Sequence, residues 1–263
     1  MRRFIRVVIM FLSLTGAVVL SFPTAGGAAI TPRTALMYGD SLTYESRSHI
    51  TAQLQLKTGW QAHVHSFGGT ALCDWLPWIA DDLAAYHPSV VGLETAGNPG
   101  SRPCSAEVPG SAAYYADYRV ALNTFFSQVT ASGAKVVYFT PPPFTDPVRT
   151  QITKQITAMA TELAFQYHGV SIATSMRNAL AGSGGAYTET KPCLLTETAA
   201  MGCTAGRIAI RTVAGLVDAG LHLCPTGIGS APLGVCPVYS SGEFRFGRAV
   251  ANSLAVPPKP KLP

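Results

Sequence analysis

The chain has 263 residues, of which 48% are hydrophobic and only 13% are charged, and its formal net charge is +5. This apolar content is enough for the core of one domain and excludes a disordered chain, while the low charge excludes a coiled coil. No repeat of fixed period is visible in the sequence, which argues against a solenoid or a propeller.

The first residues have the layout of a secretory signal peptide. Three arginines lie among the first six residues, residues 7–19 are apolar, and small residues follow at 25–29. We expect cleavage within 25–29, with residues 1–28 removed. The net charge of +5 would then fall to +2, so the basicity does not indicate a nucleic-acid partner. An uncleaved membrane anchor is the alternative, but the apolar run is shorter than the ~20 residues that a span needs.

Apolar strand patterns alternate with helical patterns along the rest of the chain. Strands are predicted at residues 34–38, 61–67, 89–95, 135–140 and 170–173. Helices are predicted at residues 46–57, 76–86, 110–132, 147–167 and 243–254. Because this alternation favours parallel strands joined by crossover helices, we predict a three-layer α/β/α sandwich with a parallel central sheet.

The alternation stops between residues 183 and 239, where glycine, proline, threonine and most cysteines are concentrated. We predict long loops with little regular structure in this segment. No linker divides the chain, so residues 29–255 are predicted to form one domain. The proline-rich residues 256–263 form a tail that we expect to be disordered.

The cysteines agree with export. There are six, all beyond the predicted signal: Cys73, Cys104, Cys193, Cys203, Cys224 and Cys236. An even number in an exported chain predicts disulfides, and the spacing favours Cys73–Cys104, Cys193–Cys203 and Cys224–Cys236, although sequence alone does not choose among the pairings. A metal site is a weak alternative because no C-x-x-C pair is present. We therefore predict a secreted extracellular protein, either free or associated with the cell wall.

Polar residues follow the first three predicted strands. Ser41 comes after the first strand and opens a helix, Gly68-Gly69-Thr70 follows the second, and Gly97-Asn98 follows the third. In a doubly wound sheet these carboxyl ends share one edge, where sites gather. His222 lies in the loop before the last helix and could reach the same edge.

This set of residues has a chemical logic. A serine hydroxyl is a weak nucleophile until a base such as His222 takes its proton. The attacked carbonyl becomes an oxyanion that needs donors already aimed at it. The backbone N–H groups of Ser41 and a glycine, with the side-chain amide of Asn98, could supply them.

Tyr38-Gly39-Asp40-Ser41-Leu42, Gly68-Gly69-Thr70, Gly97-Asn98 and Leu221-His222, in this order, resemble the four blocks of the SGNH (GDSL) hydrolases. The resemblance implies a flavodoxin-like fold and ester hydrolysis without a cofactor. It also implies that Ser41 is the nucleophile, that His222 is the base, and that Asn98 and a glycine are oxyanion donors. The family pattern selects Gly68, with Gly69 as the alternative, and the cysteine-rich loops are similar to those of secreted bacterial members.

The sequence departs from the family in two places. Asn98 follows Gly97 directly and precedes Pro99, so its loop must differ. The acid expected three residues before the histidine is replaced by Ala219, whereas Asp218 lies four before it. Since these two positions share one face of a helical turn, Asp218 is our predicted acid. Otherwise a backbone carbonyl orients His222 and the site is a dyad.

Each of these residues also has a purely structural interpretation. Ser41 could be a helix N-cap, the glycines could serve ordinary turns, and Asn98 could be a turn residue. We expect Asp40 to have a structural role, with its side chain hydrogen-bonded to loop backbone.

The sequence as a whole predicts a secreted serine esterase that acts on O-acyl esters through an acyl-enzyme intermediate. An O-acyltransferase with the same site and a catalytically silent wall- or glycan-binding protein are the alternatives. The predicted partner is a small-molecule, polysaccharide or lipid ester, with no nucleic acid and, after signal cleavage, no membrane. We expect a monomer with no cofactor and no metal.

Overall fold

A computed structural model describes residues 32–95, 97–98, 107–227 and 235–259. Its centre is a five-stranded sheet in the order β2-β1-β3-β4-β5, in which every pairing is parallel. The strands are β1 (Arg33–Gly39), β2 (Trp60–Ser66), β3 (Val90–Leu93), β4 (Lys135–Phe139) and β5 (Val170–Ala173). This is the flavodoxin-like order, so the predicted fold class is confirmed.

Helices cover both faces of the sheet. They are α1 (Ser41–Gln55), α2 (Leu72–Tyr86), α3 (Ala112–Ala131), α4 (Pro147–Ala164), α5 (Ser175–Leu180) and α6 (Ser241–Ala255). Alternate residues of β1 enter two separate cores: Leu36 and Tyr38 pack with α2, α3 and α4, whereas Ala35 and Met37 pack with α1, α5 and α6. This division is the expected result of the two-residue side-chain period of a strand buried on both faces.

Two helices begin earlier than their apolar spacing predicts. Helix α1 begins at Ser41 rather than at residue 46, because the Asp40 side chain caps it by accepting from the Leu42 N–H at 3.0 Å. Helix α2 begins at Leu72 rather than at residue 76, and the Asp74 carboxylate accepts from the Ala71 N–H at 2.8 Å. Capping side chains therefore set these ends.

The segment that was predicted to be mostly loop contains two short strands, β6 (Thr190–Pro192) and β7 (Arg207–Ala209), which pair antiparallel. Disulfides join Cys193 to Cys203 and Cys224 to Cys236, as predicted. Cys104 lies outside the described residues, so its pairing with Cys73 stays a prediction.

The predicted signal peptide lies outside the described residues. Among the helices that the structure describes, none combines the length and the apolar character that crossing a membrane requires.

Candidate active site

Ser41 lies at the junction of β1 and α1, at the carboxyl edge of the sheet. Gly39 makes this tight junction possible, because a Cβ there would lie 2.0 Å from Thr43 Oγ1. As the first residue of a 15-residue helix, Ser41 has a backbone N–H in the first turn, where the N–H groups lack partners within the helix. Asp40, and not Ser41, supplies the capping side chain, so the cap does not account for the Ser41 hydroxyl.

The glycine turn after β2 lies beside Ser41. A Cβ on Gly68 would be 3.9 Å from the Ser41 Cβ, whereas a Cβ on Gly69 would meet nothing within 4 Å. Gly69 has a φ of +81°, a left-handed conformation that favours glycine. A side chain at Gly68 would thus face Ser41, whereas one at Gly69 would face open space.

The Asn98 side chain is buried and fully hydrogen-bonded. Its Nδ2 donates to Asp40 Oδ2 at 2.9 Å and to the Thr70 carbonyl at 3.3 Å. Its Oδ1 accepts from Arg149 Nη1 at 2.9 Å, and Tyr114 donates to its backbone carbonyl at 3.1 Å. These bonds fix the amide next to the serine junction and the glycine turn, with the weaker Nδ2 bond directed at Thr70.

His222 contacts the helix that Ser41 begins. Its Nδ1 makes a short hydrogen bond with Glu45 Oε1, and the backbone N–H of Leu223 donates to Glu45 Oε2 at 2.7 Å. Glu45 is 177 positions from His222 in sequence, and both are buried. Because residues four apart share one face of a helix, Glu45 lies one turn from Ser41. With Nδ1 bonded to Glu45, Nε2 is the ring nitrogen left to act on the serine.

Buried interactions hold the loop on either side of His222. Arg211, which is fully buried, donates to the carbonyls of Leu221 at 3.1 Å and Pro143 at 3.2 Å. Gly220 has a φ of +74°, and a Cβ there would approach the Tyr187 hydroxyl to 2.7 Å. The loop therefore needs glycine at this position and a buried cation beneath it.

Asp218, the predicted acid, lies on the other side of the imidazole. Its Oδ2 is 3.9 Å from Nε2 rather than near Nδ1, and its side chain is 51% exposed. Asp218 has a φ of +59° and is the third residue of a turn that the Ala219 N–H closes on the Leu216 carbonyl; a second turn, from Asp218 to Leu221, follows it in place of a helix. The helical geometry on which the Asp218 prediction depended is thus absent from this described turn, and Glu45 holds Nδ1 in its place.

The charges around His222 determine its protonation. Burial by itself lowers its pKa, but the hydrogen bond and negative charge of Glu45, followed by the charges of Asp218 and Asp40, raise the pKa above 6.5. A histidine tuned in this direction is a stronger base for a serine proton.

A second buried carboxyl lies behind the serine. Glu94 follows β3, and its Oε2 accepts from Thr43 Oγ1 at 2.9 Å. Complete burial, with the neighbouring charge of Asp40, raises the pKa of Glu94 well above its usual value. The preference for the protonated form limits the negative charge beneath Ser41 and leaves Asp40 to cap α1 and hold Asn98.

Of the residues that the sequence predicted, Ser41, Gly68, Gly69 and Asn98 lie at the carboxyl edge of the sheet, His222 contacts α1 through Glu45, and Asp218 lies near Nε2. Sequence reasoning missed Glu45, because the acid was sought next to the histidine. The available signal was a glutamate four residues after Ser41, on a helix whose other buried positions include Leu42, Ile50 and Leu54.

No family model matches this chain, and no curated protein matches it. Similar solved structures include TesA, which is 21% identical with a TM-score of 0.44, covering 58% of this chain and 84% of TesA. A lipase/acylhydrolase from Enterococcus faecalis is 16% identical with a TM-score of 0.43, covering 59% of this chain and 86% of its own. An acetylxylan esterase from Geobacillus stearothermophilus is 13% identical with a TM-score of 0.45, covering 60% and 87% respectively. These are proteins to which the chain is similar. The flavodoxin-like fold class of the chain follows from its own strand order.

Proposed function

We propose that this chain is a secreted serine esterase that hydrolyses O-acyl esters of carboxylic acids, with Ser41 as nucleophile, His222 as general base and Glu45 as the residue that orients His222. The observation that carries the proposal is the buried contact between His222 Nδ1 and Glu45. It links the imidazole of His222, which lies in the disulfide-containing segment of residues 183–240, to the helix that begins at Ser41. Aspartate and glutamate occupy this place in Ser-His-acid sites on unrelated folds.

The first half of the reaction acylates the serine. Ser41 Oγ attacks the ester carbonyl carbon while His222 Nε2 takes its proton, and Glu45 stabilises the imidazolium through Nδ1–H. The oxyanion accepts hydrogen bonds from the backbone N–H groups of Ser41 and Gly68. The C–O bond to the alcohol then breaks, and Nε2–H protonates the departing oxygen.

The second half returns the enzyme to its starting state. His222 takes a proton from water, the hydroxide attacks the acyl carbon, and the Ser41 Oγ leaves with the proton from Nε2. Asn98 supplies a third oxyanion donor in both halves. Its Nδ2–H bond to Thr70, at 3.3 Å, is longer than its 2.9 Å bond to Asp40, so this is the hydrogen that would turn toward the oxyanion.

The proposal is tested by hydrolysis of p-nitrophenyl acetate. We expect turnover by the wild type and its loss in Ser41→Ala, while Ser127→Ala, an exposed serine on α3, remains active. A fluorophosphonate reagent should add its mass to Ser41 in the wild type. Equal turnover by the wild type and Ser41→Ala would refute the proposal and favour a binding protein.

Two further measurements address its finer points. Product analysis with added glycerol distinguishes hydrolysis from acyl transfer, because a transferase would form the glycerol ester. The intact mass of exported protein tests the signal peptide, since we expect the first 28 residues to be absent.

A further inference from the structure

Two adjoining cavities open beside the candidate active site, with volumes of about 220 Å³ and about 570 Å³. They share Pro143, Thr150, Lys154 and Arg177 as lining residues. Ligand pockets in proteins range from about 300 to 1,000 Å³, so together they have room for a sugar ring or a short acyl chain.

The cavities and the candidate active site have a common wall. Helix α4 carries Arg149, which binds Asn98, and one turn further it carries Thr153 and Lys154, which line the first cavity. On the other side, Thr145 lines the larger cavity and donates to the carbonyl of Ala219, in the loop of His222, at 3.3 Å. A group bound in the cavities would therefore lie one helical turn from Arg149 and beside the loop that carries His222.

The lining is positively charged. Lys154 and Arg177 are the only charged residues among those that line the two cavities, and neither forms an ion pair with any carboxylate in the described part of the chain. Arg177 makes one long bond, from Nη2 to the Gly185 carbonyl at 3.4 Å, so most of its five donors are available.

The other lining residues of the first cavity include three prolines, which make it a poor binding site for water alone. Pro141, Pro142 and Pro143 form one side of the first cavity and have no backbone N–H. A lining that combines these prolines with two cations matches a ligand that has both a carbon face and an anionic group. Carboxylates suit this arrangement because arginine binds them through two parallel N–H donors.

We propose that Lys154 and Arg177 bind a carboxylate on the ester substrate, so that the enzyme prefers acidic esters to neutral ones of the same size. This inference rests on the proposed esterase function and specifies its substrate class. The carboxylate can belong to the acyl chain or to the alcohol, such as a uronic acid. Since it would be bound before and during the reaction alike, its main effect is expected on KM.

The test compares matched pairs of esters. The alcohol arm uses acetylated methyl galacturonide and acetylated methyl galactoside, and the acyl arm uses p-nitrophenyl hemisuccinate and p-nitrophenyl butyrate. We expect kcat/KM to be at least tenfold higher for the acidic member of one pair, with the preference falling as salt is added. Lys154→Gln and Arg177→Gln should each lower the acidic-to-neutral ratio about tenfold through KM, and Lys154→Arg should keep most of it. Lys135→Gln, an exposed lysine at the start of β4, is the control and should leave the ratio unchanged.

The outcomes separate the two proposals. Equal kcat/KM for acidic and neutral esters, or a ratio that Lys154→Gln and Arg177→Gln leave unchanged, overturns the inference while esterase activity stands. If no ester is hydrolysed, the proposed function fails. Calorimetric binding of methyl galacturonide, methyl galactoside, succinate and butyramide to the wild type then decides the inference. Tighter binding of either acidic compound that the two glutamine variants remove supports the cavity as a carboxylate site, and equal binding overturns it.

Discussion

Two parts of the molecule meet at the candidate active site, and they are held in different ways. The serine part consists of β1, α1 and β3, where regular hydrogen bonding and helix capping fix Ser41. The stapled segment, residues 183–240, carries His222, and its described residues, 183–227 and 235–240, form short strands, 3-10 turns and loops held by two disulfides. The first part is rigid through secondary structure, whereas the second depends on cross-links and buried charges.

One buried glutamate in each part illustrates the difference. Glu94, which follows β3, accepts a hydrogen bond from Thr43 Oγ1, and burial raises its pKa. Glu197, in the stapled segment, accepts from the Leu194 N–H and from two hydroxyls, and pairs with Arg245 at 3.1 Å. Burial alone would raise the pKa of Glu197, but these donors lower it below its usual value.

In this segment, which has little regular structure, an ionised carboxylate accepts from a backbone N–H that no sheet or helix pairs. Glu45 likewise accepts from a backbone N–H, at the contact between the two parts. It belongs to α1 and binds both the His222 ring and the backbone N–H of Leu223 in the stapled segment.

The largest effect is expected from Glu45→Gln, which breaks the link between the two parts. An amide in place of the carboxylate cannot stabilise the imidazolium, so kcat should fall about 10³-fold, as for acid-to-amide changes in related sites. The steady-state rate on p-nitrophenyl acetate measures this. Asp218→Asn is the matched control and should cost only a few-fold, because Asp218 is exposed and lies near Nε2. Equal losses in the two variants would contradict the assignment of Glu45.

Removing the disulfides one at a time tests the stapled segment. Replacing both cysteines of either pair by serine should lower the free energy of unfolding by about 3 kcal/mol, since the loops span 10 and 12 residues. Urea denaturation measures this loss. Only the Cys224–Cys236 variant should also lower kcat, because Cys224 lies two residues from His222. If the variant without Cys193–Cys203 lost as much kcat as the variant without Cys224–Cys236, both disulfides would be needed to position His222.

Glu243, in the first turn of α6, provides a test of how α6 packs against α1. Burial, with the charge of Glu45, raises its pKa to about 8. The folded protein favours the protonated form of Glu243. The stability that the protonated carboxyl contributes is therefore complete below the unfolded pKa of about 4.5, and it is lost as the pH rises toward 8. Glu243→Gln should therefore be more stable than the wild type by ~2 kcal/mol at pH 9, with little difference at pH 4.

Urea titrations at the two pH values check this expectation. Glu162→Gln, an exposed glutamate paired with Arg119, is the control and should not gain stability on going to pH 9. An unchanged difference between wild type and Glu243→Gln at the two pH values would show that folding does not raise the pKa of Glu243.

The smallest effect concerns the pH profile. Since His222 must be neutral to act as a base and its pKa is raised, the acidic limb of kcat/KM should have its midpoint above pH 6.5. Asp218→Asn removes one of the charges that raise this pKa, so the midpoint should move to lower pH while the plateau stays within a few-fold. A midpoint that stays in place in Asp218→Asn would show that Asp218 does not influence the imidazole.

Most of the fold was predictable from local pattern. Apolar strands bounded by glycine and proline located β1 to β5, and their alternation with helices implied the parallel sheet. The exceptions were helix ends set by Asp40 and Asp74, the short α5, and the β6–β7 pair. Three-residue strands have too few residues for a side-chain period to be recognised.

The site divides in the same way. Sequence by itself determined that a serine, a glycine turn and an asparagine follow neighbouring parallel strands, because strand order along the chain places their carboxyl ends on one edge. Only the tertiary structure decided which carboxylate reaches His222. Asp218 is near in sequence but occupies a tight turn with a positive φ, whereas Glu45 is 177 positions away and is brought to Nδ1 by the packing of the stapled segment on α1. Contacts between distant segments depend on how loops fold over the sheet, and side-chain periodicity carries no information about that.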